Sequence, residues 1–140
     1  MSSKHSLTSI LSPLELNDYV AIDLETTGLN PQQDRITEIA ACRFIGGEKK
    51  EIYTTLINPG IPVPKNIVEI TGITDDMVKG HSIDWNNVQT IFEKSQLIVA
   101  HNASFDRSFT DKKIDLSKNK IWACSINDID WDRRDFIYII

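Results

Sequence analysis

Asp23 and Glu25 stand two residues apart in the run Tyr-Val-Ala-Ile-Asp-Leu-Glu that opens at residue 19. In an extended strand alternate side chains leave the same face, so the two carboxylates project together from α-carbons ~6.6 Å apart while Leu24 points the other way, into a core. Carboxylates crowded at the end of an apolar strand repel each other and lose hydration unless a proton or a cation sits between them. A divalent metal resolves that conflict; two acids merely exposed where a strand meets its turn is the other reading this spacing allows. A third acid, Asp106, lies in Asn-Ala-Ser-Phe-Asp at 102–106, where Phe105 and Phe109 mark one face of a helix. A helix N-terminus favours a carboxylate in its first turn. Asp106 is therefore either a ligand or only a favourable first-turn acid.

The elements that must position these acids are legible around them. Residues 19–24 are mostly β-branched, aromatic or apolar and are ended by Thr26-Thr27-Gly28 and Asn30-Pro31, which predicts a buried strand and a turn. Residues 35–45 predict a second strand, Gly46-Gly47 a tight connection, and 51–57 a third, giving an antiparallel meander. Pro64 opens a short helix closed by Gly72, and Thr74 caps another whose first turn holds Asp75 and Asp76 and which Gly80 ends. Trp85, Val88, Ile91 and Phe92 make one apolar stripe on a helix over about 83–95. Residues 96–100 form a short strand reached by a helical crossover and so parallel to its neighbour. Asn102 is suited to cap the next helix, and 121–126 predict a fifth strand. The sum is a mixed α/β layer fold.

At 140 residues the chain holds one domain, read as a loose leader over 1–17 followed by a single unit over 18–140. No apolar run approaches the ~18 residues of a membrane span, and residues 1–12 lack the pattern of a secretory signal. A cytoplasmic protein with no membrane attachment is expected. Cys42 and Cys124 form no C-x-x-C pair, so two buried reduced thiols are expected rather than a disulfide or a zinc site. A net charge of −5 argues against a protein that grips long duplex DNA along a basic face, but not against phosphate chemistry in which metal supplies the positive charge.

Four stretches together carry a specific likeness: Ile-Asp-Leu-Glu-Thr-Thr-Gly at 22–28, Asn-Pro-Gly-Ile-Pro at 58–62, Ile-Thr-Gly-Ile-Thr-Asp-Asp-Met at 70–77 and Ala-His-Asn-Ala-Ser-Phe-Asp at 100–106. In this order they resemble the DnaQ-like 3′→5′ exonucleases of the ribonuclease H-like superfamily, over residues 19–131. The resemblance implies a mixed sheet, a three-strand antiparallel meander plus parallel strands, with flanking helices. It implies that Asp23, Glu25 and Asp106 are catalytic acids holding two Mg²⁺ or Mn²⁺ ions; oxygen-only ligation independently favours such hard cations. It implies hydrolysis of single-stranded DNA or RNA 3′ ends to nucleoside 5′-monophosphates, with DNA the expected substrate, in replication and repair and alongside a DNA polymerase. Thr26, Thr27 and Gly28 match the turn under the terminal nucleotide, although Gly28 also reads as a plain turn glycine. Asn102 matches a residue near the scissile end, or serves only as the helix cap. Thr71 lies in a segment that shapes the substrate floor, or that only packs.

The chain departs from the pattern at its end. The family's last motif, a general-base His and a fourth Asp spaced H-x-x-x-x-D, has no match before Ile140. His101 and Asp106 have that spacing but belong to the earlier motif. Asp128, Asp130, Asp132 and Asp135 are read as solvated acids. The expectation is thus a domain incomplete at its C-terminus, weak or inactive as a nuclease, and with part of its sheet uncovered. The alternative is a non-catalytic domain that binds nucleic-acid ends or a polymerase-like partner. A two-metal hydrolase on another fold fits the carboxylates but not residues 70–77 or 102–106.

Overall fold

A computed structural model describes residues 17–128 of the chain. Three antiparallel strands, β1 (Asp18–Thr26), β2 (Ile36–Ile45) and β3 (Glu48–Leu56), form the predicted meander. The β2–β3 connection is tighter than the sequence reading allowed: β3 begins at Glu48, directly after Gly46 and Gly47, whose φ values of 59° and 82° only glycine adopts freely. Two short helices follow, α1 (Lys65–Thr71) and α2 (Asp75–Val78). The first ends in the left-handed Gly72, and the second starts at Thr74, whose hydroxyl accepts from the Met77 N–H. Helix α3 (Trp85–Lys94) is capped by Asp84, and β4 (Leu97–Ala100), α4 (Ala103–Thr110), a 3₁₀ turn (Asp115–Asn119), β5 (Ile121–Cys124) and α5 (Ser125–Asp128) complete the order. The predicted fifth strand is shorter than expected, because the chain turns into α5 at Ser125.

The five strands lie in the order β3-β2-β1-β4-β5, with β4 parallel to β1 and β5 parallel to β4. Val20, Ile22 and Leu24 of β1 join Ile39 and Ala41 of β2 and Val88, Ile91 and Phe92 of α3 in the main core. This is the stripe and the strand alternation expected from the sequence. Cys42 and Cys124 are both buried and not in a disulfide, as read.

The opposite face, expected to be uncovered in part, is buried over its middle strands. Ala21, Cys42 and Phe44 are buried in one cluster, and Leu97, Val99 and Ala123 in another, with Tyr19 against both. Its apolar rims are open: Ile52, beside Cys42 on the edge strand β3, and Ile121, beside Leu97 on β5, are 61% and 58% exposed. The acids at 130, 132 and 135 lie outside the described residues, and no described helix is long and apolar enough to cross a membrane.

Candidate metal centre

Strand β1 is longer than its parallel neighbour. It pairs with β2 through Thr26 but with β4 only at Tyr19, Val20 and Ala21, because β4 ends at Ala100 and the chain turns away into α4. The last residues of β1 therefore have an open edge on the β4 side. Asp106, in the first turn of α4, fills it: the backbone N–H of Leu24 donates to its carboxylate. The hydrogen bond that strand pairing would have made to Leu24 is replaced by a side chain.

The outcome is a carboxylate held 4% exposed near two others. Burial, and then the charges of Asp23 and Glu25, push the Asp106 carboxyl up to about 7, against the pull of backbone N–H groups, its own and that of Leu24. Glu25 is also raised, by burial first, then by Asp23 and by Glu38. Glu38 is an acid the sequence reading missed. It sits directly across the β1–β2 pair from Glu25, and cross-strand partners share a face. The signal was the strand register, which no residue pattern in β2 alone reveals.

Among the described residues no three His, Cys, Asp or Glu side chains converge tightly enough to hold an ion as they stand. Repulsion acts over a longer range than ligation, so acids that share one strand end yet stay splayed satisfy both observations. The donor set fits a hard divalent cation: it is all oxygen, and neutralisation would relieve the repulsion that raises Asp106 and Glu25. No Lys or Arg forms an ion pair with Asp23, Glu25, Glu38 or Asp106 among the described residues.

The remaining residues singled out from the sequence fall in two groups. Thr26 and Thr27 are buried and their hydroxyls are spent within the turn: Thr26 donates to the Gly28 carbonyl at 2.6 Å, and Thr27 donates to Asp34 Oδ1 at 3.0 Å while accepting from Arg35 N at 3.0 Å. Gly28 is favoured by close approach rather than by a left-handed backbone, since a Cβ there would stand 2.7 Å from Asp34 Oδ1 and would have to displace a carboxylate that Thr27 and Asn30 hold. The hydroxyl of Thr71 closes its own helix, donating to the Ile67 carbonyl at 2.9 Å and accepting from Ile73 N at 3.1 Å. The expected cap at Asn102 is not made by its side chain: the carbonyl of Asn102 receives the Phe105 and Asp106 N–H groups, and Oδ1 takes only the Ser104 hydroxyl at 3.3 Å. Asp75, read only as a first-turn acid, accepts from Val63 N at 2.9 Å and so ties the 58–62 stretch to α2. His101 Nδ1 lies 2.7 Å from Ser125 Oγ, which fixes that ring beside β5.

A family model described as "Exonuclease" (RNase_T) matches residues 20–137. The DNA polymerase III PolC-type of Thermotoga maritima is 38% identical over 117 residues, 82% of this chain and 8% of that protein. The same polymerase of Bacillus subtilis is 42% identical over 99 residues, 69% of this chain and 7% of that protein. The chain thus spans less than a tenth of the length of these relatives. Among solved structures, exonuclease X in complex with 5′ overhanging duplex DNA is 31% identical at a TM-score of 0.56, covering 76% of this chain and 59% of that one. Escherichia coli exonuclease I in complex with a dA16 oligonucleotide shares the fold at a TM-score of 0.66 and 19% identity, over 78% of this chain and 28% of that one. With a mixed five-strand sheet, and a family model that matches most of its length, this chain belongs to the RNase_T exonuclease family, the DnaQ-like domains of ribonuclease H-like fold.

Proposed function

We propose that residues 18–140 form one metal-dependent 3′→5′ exonuclease domain that removes nucleoside 5′-monophosphates from single-stranded nucleic-acid ends, DNA before RNA, in the cytoplasm and in the setting of a DNA polymerase. The observation that carries this reading is the seat of Asp106 on the free N–H of Leu24, within electrostatic reach of Asp23 and Glu25. The DNA polymerase III relatives, and exonucleases X and I in complex with DNA, support the choice of DNA and of a polymerase setting.

Asp23, Glu25 and Asp106 would hold two Mg²⁺ or Mn²⁺ ions, which when bound supply Lewis-acid activation of water and of the scissile phosphate. The side chains of Thr26 and Thr27 fix the turn from within, so its backbone at Thr27 and Gly28 is what a terminal nucleotide would meet, with Thr71 and Asn102 assigned to the same substrate by the family resemblance. The described residues contain no matched general base, because His101 is engaged with Ser125. Such a base commonly contributes ~10²–10⁴ in rate, so hydrolysis by these residues alone is expected to be slow.

The test is the Mn²⁺-dependent shortening of a 5′-labelled single-stranded oligonucleotide. Slow stepwise loss from the 3′ end that disappears in Asp23→Ala is expected; shortening that persists in that variant would overturn the reading. The splayed acids also favour a second reading, a domain that holds a 3′ end without cleaving it. That reading predicts metal-dependent binding of a 3′ end that is undiminished in Glu25→Gln.

A further inference from the structure

A second concavity lies on the helix-covered side of the sheet. A cavity of about 260 Å³ is walled by Arg35, Ile57, Trp85, Phe109 and Lys113, and none of Asp23, Glu25 or Asp106 lines it. Its apolar side is continuous with the main core, in which Phe109 is buried and against which Trp85 is half-buried. Its rim is cationic. Arg35 and Lys113 are exposed and enter no ion pair among the described residues. Lys112, also in the wall, donates to the Pro31 carbonyl.

The acid in that wall, Asp34, is occupied elsewhere: Oδ1 takes the Thr27 hydroxyl and Oδ2 the Asn30 N–H at 2.9 Å. The backbone of Arg35 is pinned on both sides, its N–H to Thr27 Oγ1 and its carbonyl to Thr27 N, while its side chain stays exposed. In a chain of net charge −5 this is a local positive rim over a flat aromatic wall. Free phosphate would satisfy the rim and leave the aromatic wall wet, and an acidic peptide carries no planar ring beside each charge. A nucleotide supplies both parts at once.

We propose that this cavity is an accessory nucleotide site: Arg35 and Lys113 receive a phosphate, and a base lies against Trp85, from the strand whose 3′ end is held at the acids. The segment 31–36 in its wall follows in the chain on the turn of Thr26, Thr27 and Gly28, and Thr27 is bonded to both Asp34 and Arg35, which ties the cavity wall to the end of the strand that carries the acids. The choice of ligand rests on the exonuclease reading; the cavity and its charge do not.

The test compares fluorescence anisotropy of labelled single-stranded DNA of two and of eight nucleotides on the full chain with Mn²⁺, for wild type and for Arg35→Glu/Lys113→Glu. The longer strand is expected to bind at least tenfold tighter than the dinucleotide. The double variant should erase that gain, leave dinucleotide binding unchanged, and flatten the salt dependence of the longer strand by ~0.7 in log–log slope, the value for one phosphate on a single strand. Trp85→Leu, which keeps an apolar side chain, should lose part of the same gain. A length gain that survives the double variant, or no length gain in wild type, overturns the proposal. Failure of the exonuclease reading looks different: dinucleotide binding would then be indifferent to Asp23→Ala.

Discussion

The two ends of β1 each carry acids, and the chain treats them in opposite ways. At the start, Asp18 receives both Nε and Nη2 of Arg43, at 2.9 and 2.5 Å, and the same guanidinium reaches Glu51, which Lys94 also approaches at 3.6 Å. Every carboxylate there has a cation of the chain's own. At the far end Asp23, Glu25, Glu38 and Asp106 have none among the described residues, and the one seated deepest is pushed up to about 7. A fold that only needed stability had the means to neutralise both ends. Leaving one cluster of acids unpaired is destabilising unless something from outside completes it.

The largest way to break that contrast is Asp106→Asn. The amide keeps an oxygen for the Leu24 N–H but loses the charge. Mn²⁺-dependent stabilisation in a thermal melt should be lost, and 3′-end hydrolysis should fall by at least ~10²-fold, while the metal-free protein should melt no lower than wild type. A metal-induced shift in melting that is equal in variant and wild type would mean that Asp106 is only a first-turn acid after all.

The next effect is on pH. Because the folded protein holds the Asp106 proton up to about 7, well above the ordinary carboxylate range, the folded state binds more protons than the unfolded one across that window. Its contribution is therefore stabilising below the ordinary carboxylate pKa and is lost as pH rises towards 7. Metal-free protein should be more stable to urea at pH 5 than at pH 7.5, with a slope from this group of at most about 1.4 kcal/mol per pH unit. Asp106→Asn should flatten the slope. A metal-free stability that rises over this range would contradict the buried, mutually repelling acids.

How much of this was visible beforehand follows from the range over which each feature is encoded. The meander, the α3 stripe and the Asp23/Glu25 pair are written in spacings of a few residues, and the four motifs supplied the family. What was missed depends on contacts between distant segments. Glu38 joins the acids only through the register that sets it across from Glu25. The reason for Gly28 is the side chain of Asp34, and the role of Asp75 is the Val63 N–H. Asn102 misled for the opposite reason: its residue type suits a cap, but its backbone carbonyl and a serine hydroxyl took the available partners.

The smallest effect sharpens the contrast from the paired end. Asp18→Asn removes one charge from a network in which Arg43 still faces Glu51, and both partners of the lost pair keep some contact with solvent, at 15% and 19% side-chain exposure. A charge-assisted hydrogen bond of this kind is worth about 1–2 kcal/mol when one partner is softened rather than deleted. Urea unfolding should therefore register a loss of about 1 kcal/mol, while the Mn²⁺-dependent shift in melting stays as in wild type, because the Asp18 end of the strand has its charge balanced without metal. If Asp18→Asn instead reduced the Mn²⁺ response as Asp106→Asn does, the two ends of β1 would be one electrostatic unit, and the separation between a structural pair and an unpaired site would fall.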